Sequence, residues 1–216
     1  MKKYETILFD CDGVILNSNK IKSQAFYQVA SAYSIPAANE LVEYNRKFGG
    51  ISRHEKFEHF RTNILPRYSE NVPTQEGLVA QFATYVTHGL MQCEVCPHLE
   101  DIRLKFPHSE FAVISGGDEA ELREIFETRH IDHYFSSGIW GSPASKYDIL
   151  NSQFSDIICE STLFIGDSEL DFRVAKSFGF DFIFLSDWTE MLNWQLFCER
   201  NYISNFKNIG EYVNTT

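Results

Sequence analysis

The sequence predicts an α/β fold, a doubly wound parallel sheet carrying an inserted all-helical subdomain, from three observations. Short apolar runs end abruptly in small or acidic residues, helical spacings separate most of them, and one long stretch after the first run repeats only at helical spacing. Parallel strands covered on both faces read as continuous apolar runs, and open sheets of this kind bind ligands at the carboxyl ends of their strands.

The first run, Thr6 to Phe9, stops at Asp10-Cys11-Asp12-Gly13. From about Asn17 to Leu90 the strand-helix alternation is broken: Ile21, Ala25, Val29 and Tyr33 recur every four residues, and Leu78, Phe82 and Tyr85 keep helical spacing later. Pro36, Gly49-Gly50, Pro66 and Pro73 divide this insertion into about four helices. A second run, Phe111 to Ile114, ends in Ser115-Gly116-Gly117, and Leu122, Ile125 and Phe126 after Asp118 predict a helix. The turn-forming stretch Gly141-Ser-Pro-Ala-Ser-Lys146 opens another helix. A third run, Thr162 to Ile165, ends in Gly166-Asp167-Ser168, and Val174, Ala175 and Phe178 precede a helix-ending Gly179. Phe182 to Leu185, closed by Ser186-Asp187, makes the fourth, and the tail from Asn201 to Thr216 carries no clear pattern.

With 216 residues and 44% hydrophobic content, the chain has material for a single sizeable core plus a modest insertion. The expected division is a core of residues 1–16 and 91–216 and a helical insertion of residues 17–90. A formal charge of −11 with no basic run disfavours nucleic acid and acidic membrane surfaces as partners. The apolar stretch Ile7-Leu8-Phe9 is too short for a secretory signal, no segment is long enough to span a bilayer, and a cytoplasmic location is expected by default. Five scattered cysteines, Cys11, Cys93, Cys96, Cys159 and Cys198, suit reduced thiols; Cys93-Glu-Val-Cys96 with His98 lacks the further ligands of a zinc site.

Asp10 and Asp12 flank Cys11 at a strand end, and strand alternation aims both carboxylates the same way. Gly13 allows a sharp turn or the close approach of a ligand. Ser115 to Gly117 offer a hydroxyl and backbone N–H groups of the kind that cradle phosphate. Lys146 can bring a point charge to a phosphate oxygen, Asp167 can ligate a hard cation through oxygen, and Asp171 can brace the site. Each signal alone has an ordinary explanation as a turn acid, a Ser-Gly turn, a solvated lysine or a helix cap. Their joint order at predicted strand ends is what points to a site.

That order resembles the haloacid dehalogenase superfamily, whose four motifs match Asp10-Cys-Asp12-Gly-Val, Ser115, Lys146 and Gly166-Asp167-Ser168 with Asp171. The resemblance implies a Rossmann-like core and the branch with a helical cap after the first motif, which includes phosphoglycolate phosphatase-like enzymes and β-phosphoglucomutase. It implies a magnesium-dependent phosphatase acting on a small phosphorylated metabolite. Asp10 would then be the nucleophile and Asp12 the acid and base. Asp10, the Asp12 backbone carbonyl and Asp167 would hold Mg2+, and Ser115, the Gly116 N–H and Lys146 would hold the phosphoryl oxygens.

Gly49-Gly-Ile-Ser52-Arg53 is similar to a cap motif of β-phosphoglucomutase, which implies a distal-anion role for Arg53; the other reading of Arg53 is a solvated head on a helix. The mutase carries Glu-Asp where this chain has Gly166-Asp167, which favours hydrolysis, with a mutase or a non-catalytic metabolite-binding relative as the alternatives. In the cap, Arg46, Arg61, His54, His59, Tyr44 and Phe48 are further candidates that sequence alone does not orient.

Overall fold

The computed structural model describes residues 3–155 and 161–215, so Cys159 lies outside the described residues. Among these residues six strands form one sheet: β1 (Thr6–Phe9), β2 (Glu110–Asp118), β3 (Ile139–Ser142), β4 (Thr162–Gly166), β5 (Asp181–Leu185) and β6 (Ser204–Phe206). Their order is β3-β2-β1-β4-β5-β6 and every pairing is parallel. Side chains alternate between two cores. Ile7, Phe9, Phe111, Val113, Leu163 and Ile165 pack on one face, while Leu8, Ala112, Ile114 and Phe164 pack on the other. This is why the strands read as unbroken apolar runs.

The sequential order reverses at β1, which pairs with β2 on one side and β4 on the other. A crevice opens beyond the carboxyl ends of strands at such a reversal, and Asp10 lies at the end of β1. Two strands escaped the sequence reading. β3 is the four-residue Ile-Trp-Gly-Ser, and β6 is the polar Ser-Asn-Phe on the other edge, so neither offers a buried apolar run. Ser115 to Gly117 also differ from expectation. They lie within β2, where its register against β3 shifts between Ile114 and Asp118, and not in a turn beyond the strand. The following helix α6 (Glu119–Thr128) is capped by Asp118, whose carboxylate accepts from the Glu121 N–H; the core also carries α5 (Leu99–Lys105), α7 (Lys146–Gln153) and α8 (Glu169–Ser177).

Between β1 and β2 lie α1 (Asn19–Ser31), α2 (Ile35–Lys47), α3 (Arg53–His59) and α4 (Gln75–Gln92). Ser34, Ser52 and Thr74 cap the last three by accepting from the backbone N–H groups of Ala37, Glu55 and Gly77. Phe26, Phe57 and Phe82 knot α1, α3 and α4 together, with ring centroids 4.4 to 5.7 Å apart. The chain enters and leaves this layer side by side: the Asn17 N–H donates to the Glu94 carbonyl at 2.9 Å and the Cys96 N–H to the Ile15 carbonyl at 2.8 Å. No described helix is long and apolar enough to cross a membrane. Among the described residues Cys11, Cys93, Cys96 and Cys198 are free thiols, and His98 Nδ1 is bonded to Asp101 at 2.8 Å.

Candidate active site

The chain leaves β1 and turns at once, with Gly13 at φ +79°. A Cβ on Gly13 would sit 2.1 Å from Asp167 Oδ2 and 2.5 Å from Asn19 Nδ2, so only glycine lets the β1 loop and the β4 loop close on each other. This contact brings the two strand-end acids together. Asp10, Asp167 and Asp171 each offer a carboxylate oxygen, all within 4.8 Å of one another and all buried. Lys146, at the start of α7, bonds Asp10 Oδ1 at 2.7 Å and Asp171 Oδ1 at 2.5 Å. The other Asp171 oxygen accepts from the backbone N–H and hydroxyl of Ser168 at 3.1 and 2.6 Å, closing a capping box at the start of α8. Asp171 is thus held by Ser168 on one oxygen and clamps Lys146 with the other.

Three carboxylates against one ammonium leave the cluster with excess negative charge. Burial, then the Asp171 carboxylate, push Asp10 up to about 7 despite Lys146. Burial, then Asp10, raise Asp167 well above the usual carboxylate range. Asp12 behaves oppositely. Burial alone would raise it, but Lys22 at 2.5 Å and the Ser18 hydroxyl at 2.5 Å hold it low, as an ionised carboxylate.

The donor set fits a hard divalent cation: oxygen ligands, excess negative charge and burial are what magnesium or calcium requires. This arrangement carries a pH signature. A carboxyl whose folded pKa exceeds its unfolded value, 3.8, contributes most stability at low pH and loses it as pH rises through the folded value, here about 7 for Asp10. A bound cation reverses that loss and competes with protons for the same oxygens. Magnesium is therefore expected to raise the melting temperature by several degrees, on the order of 5 °C, at pH 8 and by little at pH 5. Equal shifts at both pH values in a thermal melt would contradict the assignment.

The cleft is lined by Asp10, Asp12, Gly116, Asp167 and Arg53 among the expected residues; Ser115, Lys146 and Asp171 lie just behind that surface. Ser115 Oγ accepts from the Gly117 N–H at 3.0 Å and keeps its own proton to donate. A Cβ on Gly116 would lie 2.1 Å from the Gly50 carbonyl oxygen, so the loop before α3 rests directly on the β2 end. Arg53 is not a solvated head: it is 6% exposed, ion-paired with Glu121 of α6, and lies over the Phe82 ring at 5.0 Å. Of the other cap candidates, only Arg46 lines the cleft, 3.6 Å from Glu190; His59 stacks on Tyr44 at 3.9 Å away from it.

Sequence reasoning missed Lys22, Lys56 and Asn19, all on the cleft wall. Asn19 donates to Asp167 at 2.7 Å. The available signal was helical spacing. Lys56 follows Arg53 by three residues and so shares a helix face with a residue already singled out, while no such spacing marks Lys22 or Asn19.

Residues 7–185 match the family described as haloacid dehalogenase-like hydrolase. Several solved structures share the architecture. A Clostridium acetobutylicum protein described as a predicted phosphatase has a TM-score of 0.75 and 18% identity, over 99% of this chain and 98% of that one. A HAD-hydrolase from Bacillus subtilis, described as bound to magnesium, has 0.67 and 16%, over 99% of each. A β-phosphoglucomutase from Clostridium difficile has 0.67 and 16%, over 92% and 98%. At these identities the likeness shows the fold. Among curated proteins, none matches the sequence.

Proposed function

The chain belongs to the haloacid dehalogenase-like hydrolases, and from that premise we propose that it is a magnesium-dependent phosphatase of a small phosphomonoester, working through an aspartyl-phosphate. The observation that carries this reading is the cluster at the sheet reversal, where Asp10 is held by Lys146 within 4.8 Å of Asp167 while Asp12 is held apart by Lys22. Such a set supplies a nucleophile, a separate proton carrier and a place for a cation.

In the first half-reaction Asp10 attacks phosphorus, the ester P–O bond breaks, and protonated Asp12 gives its proton to the leaving alkoxide. In the second, Asp12 takes a proton from water as the water oxygen attacks phosphorus, releasing phosphate and restoring Asp10. Asp10, Asp167 and the Asp12 backbone carbonyl would hold magnesium, which offsets the repulsion between substrate and carboxylates. Ser115, the Gly116 N–H and Lys146 would orient the remaining oxygens.

The Lys22 ammonium is 3.3 Å from where a Cβ on Gly117 would sit, between Asp12 and the phosphoryl donors. Sharing that ammonium with an incoming phosphoryl oxygen raises the proton affinity of Asp12 and prepares it as the acid. The loop resting on Gly116 would exclude water while the intermediate exists. The mutase alternative asks Arg53 to grip a distal phosphate, and its pairing with Glu121 supports that reading less.

The test is phosphate release from sugar phosphates, sugar-acid phosphates, phosphoglycolate and p-nitrophenyl phosphate, with magnesium and with EDTA. Release is expected with magnesium and a loss of about 100-fold or more is expected with EDTA. Release unaffected by EDTA would remove the metal from the mechanism, and no release from any substrate would remove the phosphatase.

A further inference from the structure

The cations around the cleft are nearly all committed. Lys22 is paired with Asp12, Arg46 with Glu190, Arg53 with Glu121, and Lys146 with Asp10 and Asp171, while Lys47 is exposed. Lys56 differs. It lies on the cleft wall and is 7% exposed, and among the described residues no carboxylate pairs with it. The nearest candidate in sequence, Glu55, instead accepts from the Ser52 hydroxyl at 3.1 Å. The Lys56 ammonium rests over the Phe26 ring at 5.5 Å, and the neighbouring cation, Lys22, is of like charge. Asp12, Asp10 and Glu55 attract it without an ion-pair contact, yet an ammonium buried with no carboxylate in contact is unfavourable, and an arriving anion relieves it.

We propose that Lys56 is the specificity-determining cation of the cleft and binds a second anionic group, a carboxylate or a phosphate, on the organic part of the substrate. This rests on the phosphatase reading for where the first phosphoryl group sits. Asp10 and Gly116 come from the sheet and Lys56 from α3, so the two anions of one substrate are held by different elements of the same cleft. The inference also moves the selecting role from Arg53, already neutralised by Glu121, to its neighbour one helical turn on.

The experiment compares kcat/KM for matched pairs: phosphoglycolate with ethyl phosphate, and propane-1,3-diol bisphosphate with propyl phosphate. It uses the full chain with magnesium, as wild type, Lys56→Met and Lys56→Arg. The wild type is expected to favour the doubly anionic member of at least one pair by about tenfold or more, and Lys56→Met to abolish that preference through KM. Lys56→Arg should restore part of it. The pair that responds identifies carboxylate or phosphate as the partner. A preference that survives Lys56→Met, an equal loss on both members of each pair, or no preference in the wild type overturns the proposal.

If Lys56→Met fails to fold in a thermal melt, Lys56→Gln takes its place. Equilibrium binding of the same ligands to Asp10→Asn, with and without the Lys56 change, reads the proposal independently of turnover. If the wild type releases no phosphate from any substrate, the phosphatase reading fails, while selective weakening of the doubly anionic ligand in the binding comparison still decides for or against Lys56.

Discussion

Asp10→Asn is expected to lower kcat for phosphate release by about 10⁴-fold or more, without lowering the melting temperature at pH 8. The loss follows from removing the carboxylate that attacks phosphorus in the first half-reaction of the proposed scheme. Direct attack by water must then do the work in one step. The stability half follows from local electrostatics. An amide oxygen at position 10 still accepts the Cys11 N–H, now made at 2.8 Å to Asp10 Oδ1, and Lys146 keeps Asp171. Asp10, pushed up to about 7, is mostly ionised at pH 8, so the amide removes a buried charge that repels the Asp171 carboxylate. Steady-state phosphate release paired with a thermal melt measures both halves. A variant retaining more than about one hundredth of the activity would sink the nucleophile assignment.

Lys146→Met should instead damage the fold and the chemistry together. Lys146 is 2% exposed and is the ammonium bonded to both Asp10 and Asp171. Removing one partner of a buried ion pair leaves uncompensated charge and typically costs about 3–5 kcal/mol. For a chain of this size that corresponds to a fall in melting temperature of roughly 6–20 °C at pH 8. The fall should shrink toward pH 5, where Asp10 and Asp167 take up protons, both carboxyls being raised. Activity should drop by about 10²–10³-fold even where the protein remains folded, because a preorganised charge at the phosphoryl oxygens is lost. A melting temperature unchanged at pH 8 would show that Lys146 does not hold the cluster together.

The sheet was legible where strands are buried on both faces. The apolar runs ending in Asp10, Ser115, Gly166 and Ser186 correspond to β1, β2, β4 and β5. The edges were not, because β3 and β6 have one neighbour each and little apolar material, so their pairing is set by the strand beside them. The acids of the cluster were legible because strand ends converge wherever the sheet reverses. The cap side was not. Arg53 drew attention through its motif, but the motif says nothing of Glu121, 68 positions away, which neutralises it. Lys56 looks like any surface lysine in a charged segment, and only the packing of α3 against Phe26 and Phe82 shows that its stem is buried.

The paired crossings at Ile15 to Asn17 and Glu94 to Cys96 make the helical layer a loop hung from a single doorway in the chain. Its two ends are neighbours in the folded chain, so β1 and β2 can pair in the sheet whatever occupies the interval between them. A layer of different shape can hang from the same doorway if its inner surface still covers the apolar face it leans on. The chemistry at the strand ends and the choice of what reaches it can therefore diverge separately over evolutionary time, since a change of diet need not disturb the engine.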